Sequence, residues 1–472
     1  MKILLTGATG YIGKRLLPVL LAQNHEVICC VRDLKRFDVS AYHSPRVSAI
    51  EIDFLDRESK NRLPHDIQVA FYLIHSMASD TSNFSELEKT SALNFKQAIE
   101  KTAVQQVIYL TGIVNDKNLS KHLDSRKNVE EILENGAYAF TALRAGIIVG
   151  SGSASFEIIR DLVEKLPLMI TPKWLNTRSQ PIAIRNVIDY LNGVMMQPEA
   201  FNKSFDIGGP EVLSYKQMLL KFAEIRGLRR YIFTIPIMTP ILSSYWLYFV
   251  TSTSYKLAVN LVNSMKVEVV CQNNDIEKIV DSPIISYEDA IRLAFDKIEQ
   301  QEVLSSWTDA LSGKTLTSGI SQLIKVPVNG CYFDIKTCEL KDPAKAMDKI
   351  WSIGGKNGWY YANWLWNLRG FIDKLFGGVG IRRGRRSSED IKAGESLDFW
   401  RVLYANKKEQ RLLLYAEMKL PGEAWLDFKI ENNRYIQTAT FRPLGLWGRL
   451  YWYSVLPFHS FIFKGLMNKI SA

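Results

Sequence analysis

The stretch TGATGYIG, Thr6 to Gly13, decides how this chain is read. It follows the apolar run MKILL and precedes GKRLLPVLLAQNH, where Leu16, Leu17, Leu20 and Leu21 recur at helical spacing. Gly7, Gly10 and Gly13 therefore fall in a strand-to-helix turn with GxxGxxG spacing. Such a turn bends tightly and lets backbone N–H groups at the helix N-terminus approach a pyrophosphate. A glycine triplet alone is a weak signal, and its setting between strand and helix gives it weight.

A second apolar run, HEVICCVRD, places Arg32 at its end, 19 residues after Gly13. In an NAD site an acid at that place holds the ribose, whereas an arginine suits a 2′-phosphate. The expected cofactor is NADP, with NAD left open because Asp33 is adjacent. Three more apolar runs follow, VSAIEIDFLD, QVAFYLIHSM and QQVIYLTGI, separated by polar stretches of helical character such as FSELEKTSALNFKQAIEKTA. This alternation predicts a doubly wound parallel sheet, an α/β architecture. Ligands in such sheets bind beyond the carboxyl ends of the strands. Those ends carry Asp53 and Phe54, then Ile74, His75 and Ser76, then Thr111 and Gly112.

With 472 residues and 47% hydrophobic content, the chain can bury two or three cores. Its five cysteines form neither a CxxC pair nor a regular pattern, so no disulfide framework and no metal site is expected. The first residues read as a buried strand rather than a signal peptide, and the expected location is cytoplasmic. The net charge of +10 is not spread along the chain: from Lys325 onward there are 24 Lys and Arg against 14 Asp and Glu, and the remainder is neutral. Eight of the eleven tryptophans lie between Trp351 and Trp452. Two composition regimes predict at least two domains, divided near the Ser, Thr and Gly-rich SGKTLTSGISQ. The expected boundaries are residues 1–230, an apolar segment and linker over 231–327, and a C-terminal domain over 328–472. Arg382, Arg383, Arg385 and Arg386 in GIRRGRRSSED read as a solvated turn, since no aromatic is interleaved and acids follow, so no nucleic-acid partner is expected.

Taken in order, TGATGYIG, EIDFLD, YLTG, LRAGIIVG, QPIAIRNV and FDIGGPEVLSY resemble landmarks of the extended and atypical branch of the short-chain dehydrogenase/reductase superfamily, whose members include epimerase-like and NmrA-like proteins. The likeness covers about the first half of the chain and implies a Rossmann sheet. It further implies that Thr9, Gly10, Tyr11 and Ile12 line the diphosphate, that Asp53 meets the adenine amino group, and that QPIAIRNV shapes the substrate side. Catalytic members use a YxxxK helix, in which the Tyr moves a proton and the Lys lowers its pKa and holds the nicotinamide ribose. The counterpart here is KHLDSRKNVEEIL, and aligning on Lys127 puts Leu123 at the tyrosine position. Leucine transfers no proton. Lys127 is expected to keep the ribose contact, Arg126 and Glu130 to pair across one helical turn, and His75 to touch the cofactor. His122 is the nearest alternative acid, and the catalytic residue stays unassigned. Two further YxxxK matches, Tyr332 to Lys336 and Tyr404 to Lys408, lie in the C-terminal domain and bear no relation to the fifth strand.

Tyr231 to Tyr255 is a run of 25 residues without a charge. Pro236, Pro240 and eight Ser or Thr hydroxyls argue against a membrane span and for an apolar lid or a membrane-surface contact. Further on, SLDFWRVLYANKKEQRLLLYAEMKLPGEAWLDFKI and NRYIQTATFRP read as antiparallel strands, and GLWGRLYWYSVLPFHSFIFKGLMNKI as a closing helix with Leu446, Leu450, Val455, Phe458 and Ile462 inward. GGVGIRRGRR, LDFWRV and YWYSVLPFHSFIF resemble domain of unknown function family 2867, with a layout similar to helix-grip folds. That likeness implies Trp400, Trp425 and the closing helix around an apolar ligand; the plainer account is that these aromatics make a small core. The functional expectation is an NADP-dependent oxidoreductase acting on an apolar small molecule, the alternative being a non-catalytic, NADP-responsive binding protein. An epimerase or dehydratase would need the missing tyrosine.

Overall fold

The computed structural model describes residues 1–34, 37–56, 62–74, 84–113, 121–235, 259, 262–299, 326, 331–380 and 390–472. His75, the charge-free run beyond residue 235, the Ser/Thr/Gly-rich linker and the arginines of GIRRGRR lie outside the described residues. The chain divides into two compact units, residues 1–251 with 256–307 and residues 252–255 with 308–472.

The first unit opens with β1 (Lys2–Thr6), in which Ile3, Leu4 and Leu5 are fully buried. A central strand covered on both faces needs no polar alternation, which is why MKILL shows none. Next come α1 (Gly13–Ala22), β2 (Glu26–Val31), β3 (Val47–Glu51), β4 (Val69–Tyr72), α2 (Phe84–Ile99), β5 (Gln106–Gly112), α3 (Lys121–Glu134) and β6 (Ala139–Ala145). Then follow β7 (Ile148–Val149), α4 (Ala154–Lys165), β8 (Leu168–Pro172), β9 (Arg178–Ser179), β10 (Ile182–Ala183), α5 (Ile184–Gly193), β11 (Lys203–Ile207), β12 (Leu213–Ser214), α6 (Tyr215–Ile225) and β13 (Tyr231–Ile235). Seven strands form one parallel sheet in the order β11-β6-β5-β4-β1-β2-β3. The expected doubly wound sheet is present.

Strand parity assigns each face. Ile3, Leu5, Val27 and Cys29 pack with Leu16 and Leu20 of α1, and Leu4, Ile28, Ala70 and Tyr72 pack with Phe95 of α2. Chain order reverses between β1 and β4, which opens a crevice beyond their carboxyl ends. Short pairings of β7 with β10, β8 with β13 and β9 with β12 stand beside the sheet. Part of the segment set apart as lid and linker belongs here: α7 (Tyr287–Glu299) sets Phe295 edge-on to Phe156 and Phe222 at 5.4 and 5.5 Å.

The second unit comprises β14 (Tyr332–Glu339), α8 (Pro343–Trp351), α9 (Asn363–Leu375), β15 (Ser396–Leu397), β16 (Trp400–Asn406), β17 (Arg411–Ala416), β18 (Gly422–Glu431), β19 (Arg434–Pro443) and α10 (Gly445–Ser471). The strands form an antiparallel sheet in the order β14-β19-β18-β17-β16-β15. The antiparallel sheet with a long closing helix is as expected.

Two packing expectations are corrected. The buried side of α10 carries Trp452, Phe463, Leu466 and Ile470, whereas Leu450 and Phe458 are 53% and 58% exposed. A helix apolar nearly all round offers no unique inward stripe to a periodicity argument. Trp400 and Trp425 are both buried but in different clusters: Trp400 lies with Leu412, Leu414 and Phe463, Trp425 with Leu413 and Tyr415. Neighbouring residues of β17 divide between the two clusters, so these tryptophans face opposite sides of the sheet and cannot line one cavity under α10. Among the described residues no helix is long and apolar enough to cross a membrane, no His/Cys/Asp/Glu group can hold a metal, and the cysteines are free.

Candidate dinucleotide-binding site

The turn after β1 is fixed from both sides. Thr6 Oγ1 donates to the Phe71 carbonyl and accepts from the Leu73 amide, each at 3.0 Å, tying the carboxyl ends of β1 and β4 together. Gly7 adopts φ +65°, where a Cβ would stand 2.5 Å from the Leu73 carbonyl oxygen. A Cβ on Gly13 would stand 2.4 Å from the Gly7 carbonyl oxygen and 2.8 Å from Ala8 Cα. These two glycines are demanded by the turn itself.

Gly10 differs. It is exposed at the crest, its amide donates to the Gly7 carbonyl at 2.8 Å, and a Cβ there would meet only that oxygen, at 3.1 Å. The fold alone tolerates a side chain at Gly10 far better than at its neighbours, so its bareness matters toward whatever approaches the crest. α1 begins at Gly13 with Ile12 as N-cap and no side-chain cap. The Ile12 and Gly13 amides have no partner among the described residues, which leaves donors at the positive end of a helix. Thr9 is half-buried beside them.

Tyr11 and Arg15 form a brace that sequence reasoning missed. The Arg15 guanidinium lies 4.0 Å from the Tyr11 ring centroid and donates to the Tyr11 carbonyl at 3.1 Å and the Ser151 carbonyl at 2.8 Å. It thereby ties the glycine turn to the loop after β7. Burial pushes the Tyr11 phenol up to about 12, against the opposing pull of Arg15. A Cβ on Gly150 would come within 2.7 Å of the Tyr11 hydroxyl, so the last glycine of LRAGIIVG makes room for that ring. Only this close approach across two motifs reveals the pairing; neither motif signals it alone.

Arg32 directly follows β2, is exposed and has no partner among the described residues, while the adjacent Asp33 is only 5% exposed. At the end of β3, Asp53 accepts the Leu55 amide at 3.0 Å in a local turn. Phe54 is turned into the core, edge-on to Phe95 at 5.4 Å, and its carbonyl accepts from Asn94 Nδ2 at 2.7 Å. Ile74 is half-buried at the end of β4, and Thr111 is buried on β5 opposite Arg144 of β6.

On α3 the structure departs from the expected pairing. Glu130 does not meet Arg126; it is 7% exposed and accepts from Arg144 Nη2 at 2.6 Å and from Ser204 Oγ at 2.9 Å. Arg126 instead donates to the Leu110 carbonyl at 3.2 Å. Partners from other strands outcompete a one-turn pair because the helix turns this side inward. Ser125 donates to Glu88 of α2 at 2.6 Å, with both residues buried. Lys127 points the other way, 3.9 Å from Glu131 with more than half of each side chain exposed. The decoy tyrosines Tyr332 and Tyr404 lie on β14 and β16 of the second unit.

The motifs assigned to the substrate side act as pins. Gln180 donates to the Gly209 carbonyl at 2.7 Å and accepts the Cys271 amide at 3.0 Å. Asn186 is fully buried and holds the Pro283 carbonyl and the Ile285 amide.

Residues 7–161 match the family described as NAD(P)H-binding. The chain carries an NAD(P)H-binding domain. Residues 330–466 match the protein of unknown function family DUF2867, which covers nearly all of the described C-terminal sheet and helix. Among curated proteins, an NmrA-like family domain-containing oxidoreductase of Aspergillus flavus is 27% identical over 158 residues, 32% of this chain and 48% of that protein. The chain thus spans about half the length of that relative. Among solved structures, the triphenylmethane reductase of Citrobacter sp. complexed with NADP(H) aligns with a TM-score of 0.52 at 14% identity, over 62% of this chain and 100% of that one. A nucleoside-diphosphate-sugar epimerase of Staphylococcus aureus aligns with a TM-score of 0.50 at 15% identity, over 62% and 100%. At these identities the likeness is one of fold.

Proposed function

We propose that the chain is an NADP(H)-dependent oxidoreductase of the short-chain dehydrogenase/reductase-like type, acting on an apolar substrate without a YxxxK tyrosine. The observation that carries the cofactor choice is Arg32, an exposed guanidinium with no partner among the described residues, at the strand end where the ribose is read. The residues present fit a dinucleotide: bare Gly10 and the Ile12 and Gly13 amides receive the pyrophosphate, Arg32 the 2′-phosphate, and Asp53 the adenine side. When bound, the cofactor supplies a hydride. The chain's own part is to hold it and to exclude water; with Leu123 at the tyrosine position, the proton comes from water or from a neighbour such as His122. An acceptor such as a quinone or flavin needs no side-chain acid at all.

A second reading, a non-catalytic NADP-responsive protein, draws support from Leu123 and from Lys127, whose ammonium lies toward Glu131. NADPH oxidation by the purified chain across quinones, aldehydes and lipids separates the two. Turnover with any of them supports the oxidoreductase; tight binding with no oxidation supports the sensor.

A further inference from the structure

α9 and α10 bury part of their surface in the sheet and turn the rest of their apolar side chains to solvent. On α9, Trp364, Leu368, Phe371 and Leu375 follow one another at helical spacing, 46–65% exposed, and Phe376 beyond the helix is 73% exposed. On α10, Trp447, Leu450, Phe458 and Phe461 do the same, between 53% and 78% exposed. The two helices are linked by Tyr361, just before α9, meeting Phe461 at 5.2 Å and by Arg369 reaching Tyr451, an order that sets them antiparallel. Apolar patches of this extent are uncommon on soluble monomers and mark a docking surface.

The exposed charges carried by the two helices themselves are of one sign. The single acid of α9, Asp373, is 1% exposed and holds the Gly380 and Lys419 amides at 2.8 and 2.7 Å. α10 contains no Asp or Glu, while its Arg449, Lys464 and Lys469 are exposed. The whole +10 of the chain arises from Lys325 onward. Exposed tryptophan and phenylalanine rimmed by basic residues match the interface of an anionic bilayer, where rings seat at headgroup depth and cations meet lipid phosphate.

We propose that α9 and α10 form a face that docks flat on an anionic lipid surface. This inference is independent of the oxidoreductase reading. It also rests on other residues than the run Tyr231–Tyr255, most of which lies outside the described residues.

The test is co-sedimentation of the full chain with vesicles of phosphatidylcholine alone and with about one third phosphatidylglycerol. Partition into the anionic vesicles, with a blue shift of tryptophan emission, is the expected result. Phe371→Ser and Trp447→Ser should each weaken partition about tenfold or more, whereas Leu220→Ser, an exposed leucine of α6, should leave it unchanged. Near-UV circular dichroism checks that the variants stay folded, and the two substitutions lie on separate helices so that one misfolded variant does not decide the matter. No partition into either vesicle, equal partition of wild type and both variants, or a stable dimer that either substitution disperses would each overturn the proposal.

Discussion

Replacing Arg32 by alanine isolates the feature on which cofactor choice rests. The guanidinium is exposed and makes no bond within the described chain, so its removal breaks nothing in the fold and should leave stability within about 0.5 kcal/mol. A charge-assisted hydrogen bond to a phosphate is worth about 1.5–3 kcal/mol, and solvent screening of an exposed group places this one near the lower end. A loss of about 1.4 kcal/mol is tenfold in Kd, so Arg32→Ala should weaken NADP(H) about tenfold or more and barely change NAD(H). The phosphate monoester takes up its second proton near pH 6, so wild-type affinity for NADP(H) should fall as pH drops through about 6, while NAD(H) affinity stays flat. Calorimetric titration of both cofactors at two pH values measures all of this. Equal losses for both cofactors in the variant, or tighter wild-type binding of NAD(H), would refute the reasoning.

Other consequences follow from packing and charge. Gly10→Val should abolish cofactor binding with thermal stability nearly intact, whereas Gly13→Ala, whose Cβ would stand 2.4 Å from a backbone oxygen, should lower Tm before affinity is considered. Unaltered cofactor affinity in Gly10→Val would remove the basis for the site. In the second unit the Arg401 and Glu417 side chains are 0% and 2% exposed and bonded at 3.0 Å twice over, so Glu417→Ala strands a buried cation. That should cost about 3–5 kcal/mol in urea unfolding of this unit, and a loss below about 1 kcal/mol would contradict it. Burial in the α10 aromatic cluster lowers the His459 imidazole from 6.5 to about 4, opposed by nearby Asp334. The unfolded chain therefore takes up the proton first: stability is full above pH 6.5 and declines as pH falls toward about 4, by up to about 3 kcal/mol. His459→Phe should flatten that decline, which unfolding midpoints at pH 7 and pH 4.5 would reveal.

Where the sequence was readable, the signal was local. Gly7, Gly10 and Gly13 could be placed because a strand and a helix flank them within a few residues, and the parallel sheet because its strands are apolar on both faces. The structure divides the three glycines further, tying two to the turn and leaving Gly10 bare at its exposed crest, through contacts with Leu73 and Ala8 that spacing does not reveal. What stayed hidden depends on long-range partners. Glu130 looked like a one-turn mate for Arg126, but Arg144 and Ser204 from neighbouring strands claim it. Nothing local marks Arg15; its part comes from Ser151, far along the chain, whose carbonyl it meets. α10 defeated the periodicity argument because both its inward and outward faces are apolar. Trp425 was misgrouped with Trp400 because two buried tryptophans in one sheet say nothing of which face each occupies.

On the proposed reading, this chain moves a hydride although leucine stands at the tyrosine position. The most direct measurement follows deuterium from C4-deuterated NADPH into a turned-over acceptor, by mass spectrometry, with the purified chain and a quinone, an aldehyde or a lipid. Label is expected in the reduced quinone or in another apolar product, at a rate that Gly10→Val abolishes. NADPH bound at the site with no label transferred to any acceptor would contradict it.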